Sequence, residues 1–564
     1  MGRGERGRAG GRAAGAGGDT AVDGAGTGGV GAAPDGEWDA LVVTALVGTD
    51  RRGVPGGPAA LLDALAARVV RRRAGLTPAV AAPLPPPAPV DPRPPTPPAA
   101  AHRLSSLLAE LSRPGDTGRR GPAPGLPQLT ELLPEWLAVA NAHGYAPRPE
   151  VLPALLDAAR ARTDLRPAVL RYAGVRARWL AGLNPDWRFV LRAGAAGTDP
   201  VAGEGPEAVR RRWREGVFAE RAALLESLRL RDPDAARALL VEGWAQERAE
   251  DRLVFLDALR TGLGPADEPF LEAALTDRSR NVRATAAELL AGLPRSALAG
   301  RMARRAAACV APERGEGVTT IVVEAPHSCD PALERDGVLA RPPAGRGERS
   351  WWLGQLVAAA PLDRWPGRLG AADPAAVLAL AVADGWREEL HAAWCRAAVR
   401  QRDADWARAL LGAPTAPEAG GPGAVSLADR ARLLAVLPAA ERADWVAGFV
   451  AGHGLSEAFQ LLGGCAVPWS RSLGRAVVDA LDIARDAGGY PWSFSGVMGL
   501  AERCLDPAEG ERLAATTGLT AATAASADAA PGAGDYWAES FRRLVATLRL
   551  RAVMLAELAP APGA

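Results

Sequence analysis

Apolar residues recur at helical spacing through most of this chain. In "NVRATAAELLAGL" (281–293), Val282, Ala286, Leu289, Leu290 and Leu293 fall at i, i+4, i+7, i+8 and i+11, which places one apolar stripe along one side of a helix. The preceding segment carries Phe270, Leu271, Ala274 and Leu275, a second stripe that can be buried only against a neighbour. The same period predicts helices over 130–143, 149–162, 167–181, 206–230, 233–246, 249–261, 266–276 and 279–292. Helices are expected again from about 350 to 411 and on to about 510, with a last one in "DYWAESFRRLVATLRLRAVMLAEL". One run breaks the period. "GVTTIVVEAP" (317–326) is β-branched without a helical stripe, which predicts either a short strand or an extended segment crossing between helical blocks.

Proline and glycine divide the chain into blocks. Residues 1–35 are a Gly/Ala/Arg-rich tail expected to be disordered, and 36–77 an N-terminal helical segment. A Pro/Gly-rich linker over 78–128 follows, polyproline-like through 77–101, because each proline removes a donor and biases its predecessor out of the helical region. Then come a helical-repeat block (129–312), a crossing segment with helices (313–411), a linker (412–426), a C-terminal helical block (427–510), a second linker (511–534) and a terminal helix (535–558). An internal echo crosses these boundaries: "DPDAARALL" (232–240) and "DADWARALL" (403–411) agree at seven of nine positions. "EDRLVFLDAL" (250–259) and "ADRARLLAVL" (428–437) follow them. A recurring helix-pair unit explains this as well as a duplicated block does.

Composition narrows the chemistry. Among 564 residues, hydrophobic types make up 48% and aromatics 5%, beside 64 glycines and 48 prolines, the profile of Ala/Leu-rich helices joined by flexible or stiff connectors rather than of a β-rich fold. The balance of 66 basic and 65 acidic residues leaves a net charge of +1, so the whole-chain field signals neither nucleic acid nor membrane. Every basic residue is arginine. The absence of lysine excludes a Walker A loop, a Schiff-base lysine and the kinase lysine. Five separated cysteines, with no CxxC pair and no apolar leader after the charged N-terminus, read as reduced thiols in a cytoplasmic protein.

Other motifs carry little. Gly24-x-Gly26-x-x-Gly29 matches the dinucleotide fingerprint, yet no strand precedes it. His327, Cys329 and Asp330 form the one His/Cys cluster, read as a polar loop because zinc would need further ligands from afar. The acid pairs Glu388-Glu389 and Asp403-x-Asp405 read as solvated helix ends or caps. No catalytic, cofactor or metal residues are assigned. Between 277 and 305, by contrast, seven arginines face Asp277 and Glu288 alone. Of these, Arg278, Arg280, Arg301, Arg304 and Arg305 are the candidate partner-binding surface.

The unit "PADEPFLEAALTDRSRNVRATAAELLAGLP" (265–294) resembles a HEAT-like repeat. The resemblance implies structural roles for Asp277, Val282 and Arg283: in such repeats the aspartate caps the next helix or pairs with the arginine, tying layer to layer. More broadly, "LVVTALVGTDRR", the stretch through "TDRSRNVRATAAELLAGLPRSALAGRM" and "VPWSRSLGRAVVDAL" (467–481) resemble an uncharacterised family of high-GC bacterial proteins known as a domain of unknown function. That resemblance covers about 38–510 and implies no catalytic residues. It implies a gene-neighbourhood association with MoxR-type AAA ATPases, von Willebrand A-domain proteins and SWIM zinc-finger proteins.

The expectation is therefore an all-α, α-solenoid-like stack of HEAT-type helix pairs with at most one short strand segment. Such a stack would serve as a non-catalytic scaffold or adaptor, without cofactor, for a protein partner. The alternative is a nucleic-acid-binding or base-processing helical-repeat protein using the same arginines, whose binding would be steeply salt-dependent.

Overall fold

Helices make up most of the computed structural model, which describes residues 35–74, 85–112, 129–192, 205–315, 318–415, 426–513 and 533–560. The tail through residue 34, with its Gly24–Gly29 motif, lies outside the described residues, as do most of the linkers expected at 412–426 and 511–534. Two compact units emerge. Met1–Pro87 contributes the paired helices Asp35–Val47 and Gly57–Ala74, and Ala88–Ala564 holds everything else.

Within the larger unit, two clusters of buried side chains form. The first gathers the helices Pro98–Ser112, Leu133–Ala142, Leu152–Ala161 and Arg166–Leu183 around Trp136 and Tyr172, whose rings meet edge-on at 5.3 Å. Pro98–Ser112 corrects the expected linker over 78–128. Its Leu104, Leu107 and Leu108 make a buried stripe, and a proline at the first helical position costs no hydrogen bond. The remaining extended part ends at Thr96, whose hydroxyl meets the Tyr172 hydroxyl at 2.6 Å.

The second cluster is built by neighbours in sequence. Phe218–Arg231 packs on Pro233–Gly243 and Ala249–Ala258, and Ala249–Ala258 packs on Arg280–Ala291. Arg280–Ala291 packs on Ala297–Cys309, then Glu348–Ala359 and Arg387–Gln401 follow, with Ala404–Leu411 and Leu427–Leu434 beyond. The helix expected over 206–230 is two, Pro206–Glu215 and Phe218–Arg231. Gly216 leaves helical geometry, and the Glu220 carboxylate accepts from the Val217 amide to start the second. The echoed segments share a device: Asp232 accepts from the Ala235 amide and Asp403 from the Trp406 amide, each capping its helix.

The β-branched run is a strand, and it has company, so "at most one strand" is corrected to three. Strand β1 (Val310–Arg314) runs antiparallel to β2 (Thr319–Val323), with Val310 opposite Val323; β3 (Ala381–Val382) pairs with β2 in parallel. β1 carries Pro312, which an edge strand tolerates. The central β2 turns Ile321 fully into the core.

The terminal helix Ala533–Leu558 joins the clusters. Trp537, Phe541 and Leu544 enter one and Met554 and Leu558 the other. Between them Arg551, 1% exposed, grips Glu135 with two hydrogen bonds of 2.7 and 2.8 Å and donates to the Glu502 and Leu505 carbonyls. Among the described residues, no helix is long and apolar enough to cross a membrane.

Candidate functional site

The structural residues inferred from the HEAT-like unit sit where the helices Ala249–Ala258 and Arg280–Ala291 meet, wired differently than expected. Val282 is fully buried. One Asp277 oxygen accepts from the Ser279 amide at 2.8 Å, while the other pairs with Arg252 of the helix Ala249–Ala258. Arg283 donates instead to the backbone carbonyls of Asp277 (2.7 Å) and Arg278 (3.2 Å). The ion pair between the two helical segments is thus Arg252–Asp277, and Arg283 secures the turn. A short D…VR pattern cannot reveal a partner that lies outside it.

The five candidate arginines do not form one surface. Arg301 donates to Asp336 (2.9 and 3.0 Å) and to Glu272 (3.1 Å), and Arg305 donates to Asp336 at 2.7 Å. Both belong to a partly exposed charge cluster around the buried Asp336. The Asp336 side chain has no exposed surface. Burial pushes its carboxyl up, but hydrogen bonds from Arg301, Arg335 and Arg305 outweigh that and hold it below the ordinary 3.8. Arg278, Arg280 and Arg304 are exposed, yet they separate. Arg280 borders a cleft with residues 331–341. Arg304 borders another, of about 890 Å³, beside Arg295, Arg364 and Arg368.

The first of these clefts opens a longer feature that sequence reading missed. It measures about 630 Å³ and is walled by Arg280, Arg283, Glu334, Arg335 and Arg341. Through Ala284, Gly337 and Val338 it adjoins a second of about 280 Å³, where Leu298, Met302 and Trp351 meet Arg346, Arg396 and Arg400. Through Glu288, Arg396 and Arg400 that adjoins a third of about 610 Å³, reaching Arg260, Arg402 and Arg432 over Leu263, Leu289 and Val399. Gly337 makes the first junction possible. Its φ is +91°, and a Cβ there would overlap the Ala287 Cβ.

Ten arginines and five carboxylates line this groove, in a chain whose net charge is +1. Arg280, Arg341 and Arg402 are exposed and hold no ion pair or side-chain hydrogen bond among the described residues. Deeper in, Arg396 donates to the Gly354 carbonyl (3.1 Å) and Arg400 to the Ala358 carbonyl (2.9 Å). Burial pulls both guanidiniums below their ordinary value, and Glu389 beside Arg396 and Glu288 beside Arg400 offset part of it. Arg396 and Arg400 stand one turn apart on Arg387–Gln401, a spacing legible in sequence that singles out one helix face.

The other candidates resolve plainly. Glu389 is not a solvated helix end; it pairs with Arg346 at 2.7 Å and Arg396 at 3.5 Å. Asp403 is a cap, and Asp405 pairs with Arg408. His327 contacts Glu324 and Asp330 caps Pro331–Arg335, while burial pushes the Cys329 thiol up. Among the described residues, no three metal-ligating side chains cluster. On Arg387–Gln401, His391 and Cys395 are both buried. Burial lowers His391 to about 4 and raises Cys395 to about 12, so both are held neutral. Elsewhere, Tyr490 and Trp492 stack at 4.8 Å with about half of each exposed.

Compared with known proteins, residues 40–558 match the model of a family of unknown function, DUF5691. No curated protein matches.

Proposed function

We propose, for a chain that belongs to the DUF5691 family, a non-catalytic protein-interaction scaffold or adaptor: a solenoid-like array of helix pairs, HEAT-type at 265–294, that presents the arginine-lined groove to a partner protein. The groove itself carries this reading. Three adjoining clefts cross successive helical layers and collect an excess of cations that the rest of the chain balances. Stacked layers offer such extended surfaces without a catalytic constellation. The neutral forms of Cys395 and His391, the latter's neighbour on one helix, also favour binding over nucleophilic chemistry, which needs a thiolate. The family resemblance directs the search for the partner to MoxR-type AAA ATPases and von Willebrand A-domain proteins. Nucleic-acid binding through the 277–305 arginines loses support, because Arg301 and Arg305 are already paired with Asp336.

The test is capture from extract of the native cell, read by mass spectrometry, with the wild-type chain and a variant carrying Arg280→Glu, Arg341→Glu and Arg402→Glu. Proteins retained by the wild type and lost by the variant are the expected result. Identical recovery by both, or recovery of nucleic acid alone, contradicts the reading.

A further inference from the structure

The groove's chemistry goes further than its being a binding surface. We infer that it takes an acidic segment of the partner protein, one whose carboxylates alternate with apolar side chains. This rests on the scaffold reading and names its ligand.

Three observations carry it. First, the unpaired cations lie at the two ends: Arg280 and Arg341 border the first cleft and Arg402 the third. An extended or helical acidic segment can reach both ends, whereas one small anion cannot. Second, the middle holds Arg396 and Arg400, half-buried guanidiniums that donate to the Gly354 and Ala358 carbonyls, Arg396 with Glu389 at 3.5 Å. A carboxylate arriving there can accept a charge-assisted hydrogen bond from the donors these carbonyls leave over. Third, apolar side chains stand among the arginines. Leu298, Met302 and Trp351 line the central cleft, and Leu263, Leu289 and Val399 line the third. Leucine-like side chains fit those stretches, and a sugar-phosphate backbone has nothing to place on them.

The groove's own acids separate a peptide from a nucleic acid. Glu288 stands in the wall shared by two clefts, with Glu334 on one side and Asp429 on the other. A duplex carries a phosphate charge at short, regular intervals and would bring some against each of these carboxylates. A peptide places neutral or apolar residues opposite them and carboxylates opposite the arginines. Complementary potentials of this kind set register and exclude wrong partners.

The full chain is titrated into a fluorescein-labelled peptide of repeating Glu-Glu-Leu. The matching Lys-Lys-Leu peptide and a short DNA duplex are controls, each at low and physiological salt. The Glu-Glu-Leu peptide is expected to bind, the lysine peptide not, and the duplex more weakly at matched salt. Reversing Arg280, Arg341 and Arg402 to Glu should weaken peptide binding roughly tenfold or more. Arg304→Glu, in the separate cleft, should leave it unchanged. The inference is overturned by no peptide binding, by a duplex that binds more tightly, or by equal loss from Arg304→Glu. If the peptide fails while extract proteins are still lost with the groove variant, the acidic ligand is wrong and the scaffold stands. If neither depends on the groove, both fall.

Discussion

Arg301 reaches across 35 residues of sequence to hydrogen-bond Asp336 at 2.9 and 3.0 Å, and the carboxylate it meets has no exposed surface. With Arg305 and Arg335 on the same group, this contact ties the helix Ala297–Cys309 to the segment forming the groove's first wall. Asp336→Ala should destabilise the fold by about 2 kcal/mol, somewhat less than a fully buried pair because its arginines are partly exposed and can rehydrate. Urea unfolding followed by tryptophan fluorescence measures it, and Arg304→Ala should lie within about 0.5 kcal/mol of wild type.

The same carboxylate gives a pH signature. Its native value is held below 3.8, so its contribution is fully present above the unfolded value and is lost as pH falls through the lowered native one. Wild type should therefore lose stability below about pH 4 more steeply than Asp336→Asn, while the two profiles run parallel from neutral pH down to about 5. Profiles that stay parallel throughout would show that the three arginines do not stabilise the charged form.

At Gly337, both the positive φ and the close approach to Ala287 forbid a side chain. Gly337→Ala should cost about 2 kcal/mol and disturb the wall shared by the first two clefts. Unchanged stability would mean that the Gly337 and Ala287 backbones can part there.

Arg551 and Glu135, 416 residues apart, clamp the terminal helix between the two buried clusters. Arg551→Ala leaves Glu135 unpaired and frees the Glu502 and Leu505 carbonyls, with an expected loss of about 3 kcal/mol. Because this helix is what the clusters share, denaturation of the variant should broaden or split. A single sharp transition with unchanged midpoint would count against the clamp.

Cys395, raised to about 12, should carry roughly a thousandfold less thiolate than an ordinary cysteine near pH 8. Ellman's reagent should leave it unmodified until the protein unfolds, and Cys395→Ser should not change the native reaction.

How much of this the sequence discloses follows from the reach of each interaction. The stripe of Val282, Ala286, Leu289, Leu290 and Leu293 is local; the first four are buried as the period predicts, and Leu293, past the helix end, is half-buried. The Asp232 and Asp403 caps likewise act within a turn. The helix Pro98–Ser112 is encoded in the spacing of Leu104, Leu107 and Leu108, although the proline-rich stretch before it favours an extended chain. The site was harder. Arg301 and Arg305 look free in a local charge count because their acceptor lies about 30 residues on. The groove depends on which helices adjoin, and two of its three clefts join the 277–341 region to residues 396–432. No periodicity encodes that pairing.

On the proposed reading, a protein partner occupies the arginine groove. The most direct measurement is photo-crosslinking in the native cell, with a photoreactive residue placed in turn at 341, at 402, at 304 in the separate cleft and at 492 beside Tyr490. Cross-links to one protein from 341 and 402, and none from 304 or 492, are the predicted result. Cross-links confined to 304 or 492, or formed to nucleic acid from 341 and 402, would contradict it.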